Sequence, residues 1–224
     1  MKKFITLSIA LLLIFSLTAC NLISLDIGDG SDFKYNSEYV KENLTGDYSI
    51  TYKSVTYGNG QIESTNYFKV ISTDEGVYTE ITDEDGYKSG YLFVRNGDNY
   101  ILCEGSPEDG FTKPESLEYA YQVTKEQAEA YGGMGLNYFI NYYSDMASLM
   151  KSDGTETIAG RKCDKFKAGI TILGAGVQNF YSVDQQTGIC MKFALAASAQ
   201  GESGGMEFEC VEFLTSGVQL PAYN

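Results

Sequence analysis

Two stretches of sequence decide the fold: residues 154–166 read GTETIAGRKCDKF, and residues 181–193 read YSVDQQTGICMKF. Each places alternating apolar and polar residues around a turn, which Gly160 and Gly188 allow because glycine tolerates tight backbone conformations. Asp184 precedes the second turn, where a carboxylate can accept hydrogen bonds from the turn amides. We therefore predict two antiparallel hairpins. The strand that begins at Gly188 is expected to direct three apolar residues to the concave face of the sheet: Ile189, Met191 and Phe193.

Strand and turn signals continue on both sides of these stretches. Short runs of alternating apolar and polar residues are separated by polar turns, such as Gly58-Asn59-Gly60 and Asn96-Gly97-Asp98. This regular spacing indicates an antiparallel sheet in two strand-rich parts, with a helical segment between them. The predicted strands are residues 48–53, 62–72, 77–82, 87–95, 99–104, 161–168, 177–184, 188–197 and 206–214.

The helical segment lies between residues 124 and 150. Thr124-Lys125-Glu126-Gln127 fits a capping box, with Thr124 as the N-cap, and predicts a short helix through Ala130. Residues 136–150 follow a helical period and carry one narrow polar stripe. A helix that is apolar around most of its girth must be largely buried, so we expect it on the concave face of the sheet.

This apolar helix has two interpretations. It either fills the core, or it covers an apolar cavity and repacks around a ligand, since Tyr and Met side chains adapt to what they contact. Under the second interpretation, the candidate ligand-binding residues are Tyr138, Phe139, Tyr142, Tyr143 and Met146.

The first twenty residues indicate export and lipidation. Lys2 and Lys3 precede an apolar run over residues 4–17. That run is short for a membrane-spanning helix, which needs about 20 residues, but it fits the apolar part of a signal peptide. Residues 17–20, LTAC, match the lipobox of bacterial lipoproteins, in which the chain is cut before the cysteine. This resemblance predicts a signal peptide over residues 1–19 and lipidation of Cys20, for example with palmitate. An ordinary secretory signal and a retained transmembrane anchor are the alternatives.

Composition excludes several classes of function. The 224 residues include 16 basic and 30 acidic side chains, giving a formal net charge of −14, and there is no histidine. So acidic a surface repels the phosphate backbone of nucleic acid. It is also repelled by anionic lipid headgroups, so a lipid anchor rather than charge must hold the protein at a membrane. Without histidine the chain lacks the usual base of Ser and Cys hydrolases and a common zinc ligand. We therefore expect no nucleic-acid partner, no metal, no cofactor and no enzymatic activity.

Four cysteines remain if Cys20 carries lipid: Cys103, Cys163, Cys190 and Cys210. Strand alternation places Cys163 and Cys190 on faces that they share with lysines, which favours a disulfide between these two if the protein has one. The alternative is four reduced, half-buried thiols. One geometric objection stands, because strands on either side of a third strand lie about 10 Å apart, beyond the reach of a disulfide.

The mature chain is predicted to divide into a tether and one domain. Residues 20–45 lack a sustained period, and we interpret them as a lipidated N-terminus and flexible tether, with one short helix over Ser37–Leu44. Residues 46–218 form the sheet domain, with the helical insertion around residues 124–150.

The two opening stretches resemble a pattern of LolA/LolB-like and LppX-like bacterial lipoproteins. Here the pattern reads G-x-E-x-I-x-G-x-x-C-x-x-F at residues 154–166 and Y-x-V-D-x-x-T-G-I-x-M-K at residues 181–192. The resemblance implies an α+β fold: one strongly curved antiparallel sheet, an unclosed half-barrel, with helices packed on its concave face. It also implies a cavity, which relatives use to hold acyl chains. No binding residue carries over, because the shared pattern concerns turns.

Three functions are compatible with the sequence. The first is a carrier or receptor, lipid-anchored on the extracytoplasmic face of the cell membrane, that binds a lipid or another hydrophobic ligand in a half-barrel cavity. The second is a non-catalytic interaction or sensor module of the cell envelope, with a filled core and no ligand. The third is an enzyme built on carboxylates or a thiolate, which is disfavoured because almost all the acidic residues lie in predicted turns. The sequence identifies no protein partner.

Overall fold

The computed structural model describes residues 23–118, 120–131, 149–173 and 175–224. No helix within these ranges is long and apolar enough to cross a membrane. The strands of the described chain are β1 (Ile23–Asp26), β2 (Tyr48–Gly58), β3 (Gln61–Ser72), β4 (Gly76–Thr82), β5 (Lys88–Asn96), β6 (Asn99–Leu102), β7 (Glu104–Ser106), β8 (Gly110–Thr112), β9 (Gln122–Val123), β10 (Lys151–Ile158), β11 (Arg161–Ile172), β12 (Ala175–Asp184), β13 (Cys190–Ala199) and β14 (Glu202–Leu214). The helices are α1 (Ser37–Asn43) and α2 (Lys125–Glu129).

Twelve of these strands form one antiparallel sheet that does not close on itself. Strands β2 to β6 make one meander, with β9 at its edge, and β11 to β14 make a second. The two meanders join where β14 pairs with β2, from Gly204 opposite Gly58 to Leu214 opposite Ser49. At the other edge, β1 and β10 lie end to end along β11. The single unclosed antiparallel sheet confirms that part of the predicted fold.

The strand register gives the sheet two different faces. Ile50 lies opposite Val70 in the β2–β3 pair, and Phe93 lies opposite Val77 in the β4–β5 pair. Because Val70, Ser72 and Val77 share a face by alternation and pairing, all of these residues lie on one side, which we call the core face. The opposite side, which we call the tail face, carries Ile71, Tyr78 and Leu92 and is packed by Val218 and Leu220 of the C-terminal segment.

The main apolar core lies on the core face. It is built by strands β2, β3 and β10–β14 and includes the largest fully buried side chains, among them Tyr52, Tyr181 and Met191. A smaller cluster on the same face contains Val77 and Phe93 and is packed by Ala128 of α2. Strands β4 to β6 are therefore covered on both faces over their short apolar runs, such as residues 92–94 of β5 and residues 100–101 of β6.

The described molecule is mostly sheet, with two helices of 7 and 5 residues. Helix α2 begins with the predicted capping box: the Thr124 side chain accepts from the Gln127 amide, and the Gln127 side chain accepts from the Thr124 amide. The helix predicted over residues 136–150 lies outside the described residues except for its last two positions. Of these, Met150 is not helical and is buried in the main core.

Strand β1 and the contacts of Tyr35 contradict the flexible tether predicted over residues 20–45, whereas the short helix predicted over Ser37–Leu44 is confirmed as α1 (Ser37–Asn43). Strand β1 pairs with β11, and Tyr35 is fully buried in the main core, where its hydroxyl donates to Asp164 Oδ2 at 2.5 Å. Helix α1 buries Val40, and Tyr39 donates to the carbonyl of Gln185 at 2.9 Å. The tether prediction failed because these contacts pair residues more than 120 positions apart, which local composition does not reveal.

The turn between β12 and β13 forms as predicted. Asp184 Oδ2 accepts from the Thr187 amide at 2.9 Å and from the Thr187 hydroxyl at 2.6 Å. Gly188 has a φ of 75° and Gly160 has a φ of 77°, a backbone region that other residues rarely adopt. Arg161, at the start of β11, donates to Asp184 at 2.7 Å. The aspartate therefore fastens its own turn and the neighbouring hairpin together.

The predicted disulfide between Cys163 and Cys190 is not formed, because Cys103, Cys163, Cys190 and Cys210 are all free and buried. Strand β12 lies between the two cysteines: Cys163 faces Asp184 on one side of it and Cys190 faces Val183 on the other. The assignment to polar faces was also wrong for Cys190. A register shift after Ser182 interrupts the alternation of β13 and places Cys190 in the core.

Candidate functional site: a cavity on the core face

A cavity of about 120 Å³ opens on the core face between the main core and the smaller cluster. Two rows of paired residues line it. Val70, Thr79 and Tyr91 form one row across β3, β4 and β5, and Phe68, Ile81 and Ser89 form the next. Since paired residues of neighbouring strands point to the same side, all six belong to the core face.

An aromatic cluster borders this cavity. The Tyr131 ring, two residues beyond α2, lies 4.8 Å from the ring of Tyr91 and 5.1 Å from that of Phe93, both in edge-to-face geometry. Tyr121 adds a third ring at 5.9 Å. Aromatic side chains offer large apolar area with few rotatable bonds, so this cluster can bind an apolar molecule at a small entropic cost.

One buried polar atom, the hydroxyl oxygen of Thr79, lies in the otherwise apolar lining of the cavity. Thr79 is 7% exposed, and within the described residues its hydroxyl has no hydrogen-bond partner. A second such atom on the core face is the side-chain oxygen of Asn179, which is 8% exposed and lies opposite Ala168 and Leu195. A buried polar group without a partner costs about 1–3 kcal/mol, so each marks a place where a bound group would gain a hydrogen bond.

The charged residues beside the cavity point away from it. Glu80 alternates with Thr79 and Ile81 and therefore projects to the tail face, where it accepts from the Tyr78 hydroxyl at 2.6 Å and from Lys88 at 3.2 Å. Burial raises the pKa of Glu80, but the hydrogen bonds from Tyr78 and Lys88 outweigh it and hold the pKa below its ordinary value. The Glu80 carboxylate is therefore ionised and hydrogen-bonded on the tail face, and it adds no charge to the lining of the cavity.

The ligand-binding residues predicted from sequence lie outside the described residues: Tyr138, Phe139, Tyr142, Tyr143 and Met146 all belong to 132–148. Alternation along the predicted strand 62–72 places Phe68 and Val70 on one face, as in the structure, but no sequence pattern singled out Thr79, Tyr91 or Tyr131. The alternation of β4 and β5 carried a signal for the first two. The position of Tyr131 depends on how α2 packs, which the sequence does not specify.

The described residues include no group of three or more metal-ligating side chains close enough to hold an ion. Burial raises the pKa of Cys163 and of Cys210 to about 12, with the nearby carboxylates and thiols adding to the effect. A thiol with so high a pKa is protonated at neutral pH and is a poor nucleophile. These two thiols are therefore unsuited to nucleophilic chemistry at neutral pH.

Comparison with known proteins gave matches among solved structures alone. No known family profile matches this chain, and the search of curated proteins found no match. A chain in the complex of MucA and MucB from Pseudomonas aeruginosa is 16% identical, with a TM-score of 0.42; the match covers 86% of this chain and 59% of that one.

Two further matches belong to the groups that the sequence resembles. The lipoprotein LppX of Mycobacterium tuberculosis is 12% identical, with a TM-score of 0.33, and the match covers 81% of this chain and 94% of LppX. A LolA superfamily protein of Nitrosomonas europaea is 10% identical, with a TM-score of 0.29, and the match covers 83% of this chain and 95% of that one.

Proposed function

We propose that this protein binds a hydrophobic ligand, such as a lipid, in the cavity on the core face while a lipid on Cys20 anchors it at the extracytoplasmic side of the cell membrane. The observation that carries the proposal is the cavity itself, which combines an apolar and aromatic lining with the single buried hydroxyl of Thr79. A pocket of this kind favours a mostly apolar molecule with one hydrogen-bonding group. Binding without catalysis is part of this proposal.

The fold prediction adds a second element to the proposed site. We propose that the sheet is strongly curved with the core face as its concave side, and that the predicted 136–150 helix lies against it. The support for this placement comes from the described residues at the two ends of the segment. Tyr131 precedes this segment and borders the cavity, and Met150, its last position, lies in the main core on the same face. Tyr138, Phe139, Tyr142, Tyr143 and Met146 would then enlarge the lining.

One observation favours the alternative, a cell-envelope interaction module with a filled core and no ligand. Ligand pockets usually enclose about 300–1,000 Å³, whereas the cavity lined by Val70, Thr79 and Tyr91 has a volume of about 120 Å³. Strands β4 to β6 are also packed on both faces. The two functions differ in whether the purified protein contains a small hydrophobic molecule.

Native mass spectrometry decides between them. A chain beginning at residue 21, purified from a bacterial host, is expected to carry a co-purifying lipid, and the lipid is expected to be reduced in a Ser89→Tyr variant. Ser89 is exposed and lines the cavity, so a tyrosine there narrows it without disturbing the core. Ser152→Tyr, at an exposed position of β10, is the control and should retain the lipid. A protein that is empty in every preparation and binds no hydrophobic dye favours the interaction module.

The anchor is tested separately. Radiolabelled palmitate is expected to be incorporated into the full chain and not into its Cys20→Ala variant, which should leave the membrane fraction. Labelling of the variant, or its continued sedimentation with membranes, contradicts the proposed anchor without touching the cavity.

A further inference from the structure

One end of the sheet brings three hairpin tips and the N-terminal strand together. A single row of paired residues crosses six strands there: Leu25, Ile170, Val177, Ala197, Gly204 and Gly58. Beyond this row lie the tips of the β2–β3, β11–β12 and β13–β14 hairpins. We call this region the tip surface. The strand pairing shows that the row of residues is continuous across the six strands.

The tip surface carries little charge in a strongly acidic protein. No charged residue occurs in residues 54–62, in residues 168–183 or in residues 193–201, which make up most of the three hairpin tips and their adjoining strand ends. Two exposed carboxylates are the exceptions: Glu202 lies opposite Ala199 in the β13–β14 tip, and Glu63 follows Ile62 in β3. Removal of residues 1–19 would take away Lys2 and Lys3 and leave 14 basic and 30 acidic residues in the rest of the chain.

The same surface exposes large apolar side chains. Ile62 is 69% exposed and Leu173 is 65% exposed, and they are the most exposed large hydrophobic residues of the described chain. Leu25, Val177 and Met206 are exposed around them. Exposed apolar residues gathered on a surface with little charge are typical of a site that contacts another apolar phase.

The direction of β1 indicates that this apolar phase is the membrane. Ile23, the first residue of β1, lies opposite Ile172 at the tip of the β11–β12 hairpin. Cys20 precedes Ile23 by three residues, a span of at most about 11 Å when fully extended. A lipid attached to Cys20 would therefore enter the membrane beside the exposed tips.

We propose that the tip surface is a membrane-contacting surface, with Leu173 and Ile62 entering the lipid interface next to the anchor. The orientation follows from the anchor assigned to Cys20 under the proposed function. An acidic body is repelled by anionic headgroups, so the end with the fewest charges is the part that can approach them. Apolar side chains that enter the interface beside the anchor add buried area to the attachment and fix the orientation of the protein.

The experiment uses tryptophan as a probe, because the chain has none. Leu173→Trp and Ile62→Trp place the probe on two tips, and Gln186→Trp places it in the exposed turn at the opposite end of β12. The chain from residue 20 retains every described strand and helix. Its Cys20 thiol is coupled to a maleimide phospholipid in phosphatidylcholine vesicles, while the four described cysteines are buried and unreactive. Chemical coupling makes the result independent of natural acylation and of any ligand in the cavity.

On the vesicles, the emission of Leu173→Trp and Ile62→Trp is expected to shift to the blue by about 10 nm and to be quenched about twofold by brominated phosphatidylcholine, as for indoles at a membrane interface. Gln186→Trp should do neither. Unquenched tip probes overturn the proposal, and so does equal quenching of Gln186→Trp. A blue shift of the tip probes in solution without vesicles also overturns it, because it would assign the surface to contact between protein copies.

Discussion

At the scale of single residues, Asp184 makes three hydrogen bonds through one buried carboxylate oxygen. One carboxylate oxygen accepts hydrogen bonds from the amide and hydroxyl of Thr187 and from the guanidinium of Arg161. Its side chain is 1% exposed, and Arg161 also stacks over the ring of Phe213 at 4.9 Å. A single buried carboxylate thus holds two hairpins in register.

Replacement of this carboxylate should destabilise the protein strongly. Asp184→Ala leaves Arg161 without its buried partner, and we expect a loss of about 3 kcal/mol in the free energy of unfolding. Urea denaturation at pH 7 measures this loss. Asp85→Ala, in an exposed turn, should change the free energy by less than about 0.5 kcal/mol. Equal effects of the two substitutions would contradict the role of Asp184.

The four described thiols should be reduced in the isolated protein. In a Cys20→Ser variant, alkylation under denaturing conditions without reductant is expected to modify four cysteines, as read from the intact mass. In the folded protein at pH 8, a thiol with a pKa of about 12 is ionised to about one part in ten thousand, so alkylation should be very slow. Modification of only two cysteines in the denatured protein would reveal a disulfide and contradict the structure.

At the scale of elements, residues 33–43 are fixed to the sheet by aromatic packing and hydrogen bonds. Phe33 and Tyr35 both contact Phe166 in edge-to-face geometry, and Tyr35 donates to Asp164. Burial raises the pKa of Asp164, but hydrogen bonds from Tyr35 and Gln185 outweigh it, so the pKa lies below its ordinary value. The folded state therefore favours the ionised carboxylate.

The contribution of this contact to stability should depend on pH. Because the folded pKa of Asp164 is lowered, the stabilisation is complete above the unfolded pKa near 4 and is lost as the pH falls through the folded value. Tyr35→Phe should cost about 1.5 kcal/mol at pH 7, as for a hydrogen bond to a charged group, and less at pH 3. Urea midpoints at both pH values measure the difference. Tyr67→Phe, at an exposed position, should show no such pH dependence, and an equal cost of Tyr35→Phe at both pH values would contradict the account.

Sequence patterns predicted local elements well and long-range pairings poorly. The turns around Gly60, Gly97, Gly160 and Gly188 and the capping box of α2 each depend on residues a few positions apart, and all formed as expected. Strand β1 was missed because it becomes a strand only by pairing with β11. The burial of Cys190 was missed because strict alternation along a strand does not predict a β-bulge.

At the scale of the whole molecule, the pairing of β14 with β2 makes the core face continuous, although the cavity itself is lined by β3, β4, β5 and Tyr131. This pairing joins two meanders that are distant in sequence, and it extends one face from the main core to strands β3, β4 and β5. The cavity lies where the two apolar clusters of that face meet. Its lining was only partly predictable, because a cavity depends on which side chains fail to fill a space and not on their type alone.

The Thr79→Val variant tests whether this cavity binds a hydrophobic ligand. Valine matches the shape of threonine but lacks the hydroxyl that has no partner within the described residues. The variant freed of lipid should therefore be stabilised by about 1 kcal/mol, a rise in melting temperature of about 2–4 °C.

The decisive measurement combines that melting temperature with lipid occupancy by native mass spectrometry. We predict that Thr79→Val melts higher than the wild type without lipid but retains several-fold less lipid after reloading, because the ligand loses a hydrogen bond. Thr65→Val, on the opposite face of β3, should leave the occupancy unchanged. Wild-type occupancy in Thr79→Val, or a lower melting temperature of its lipid-free form, would contradict the claim.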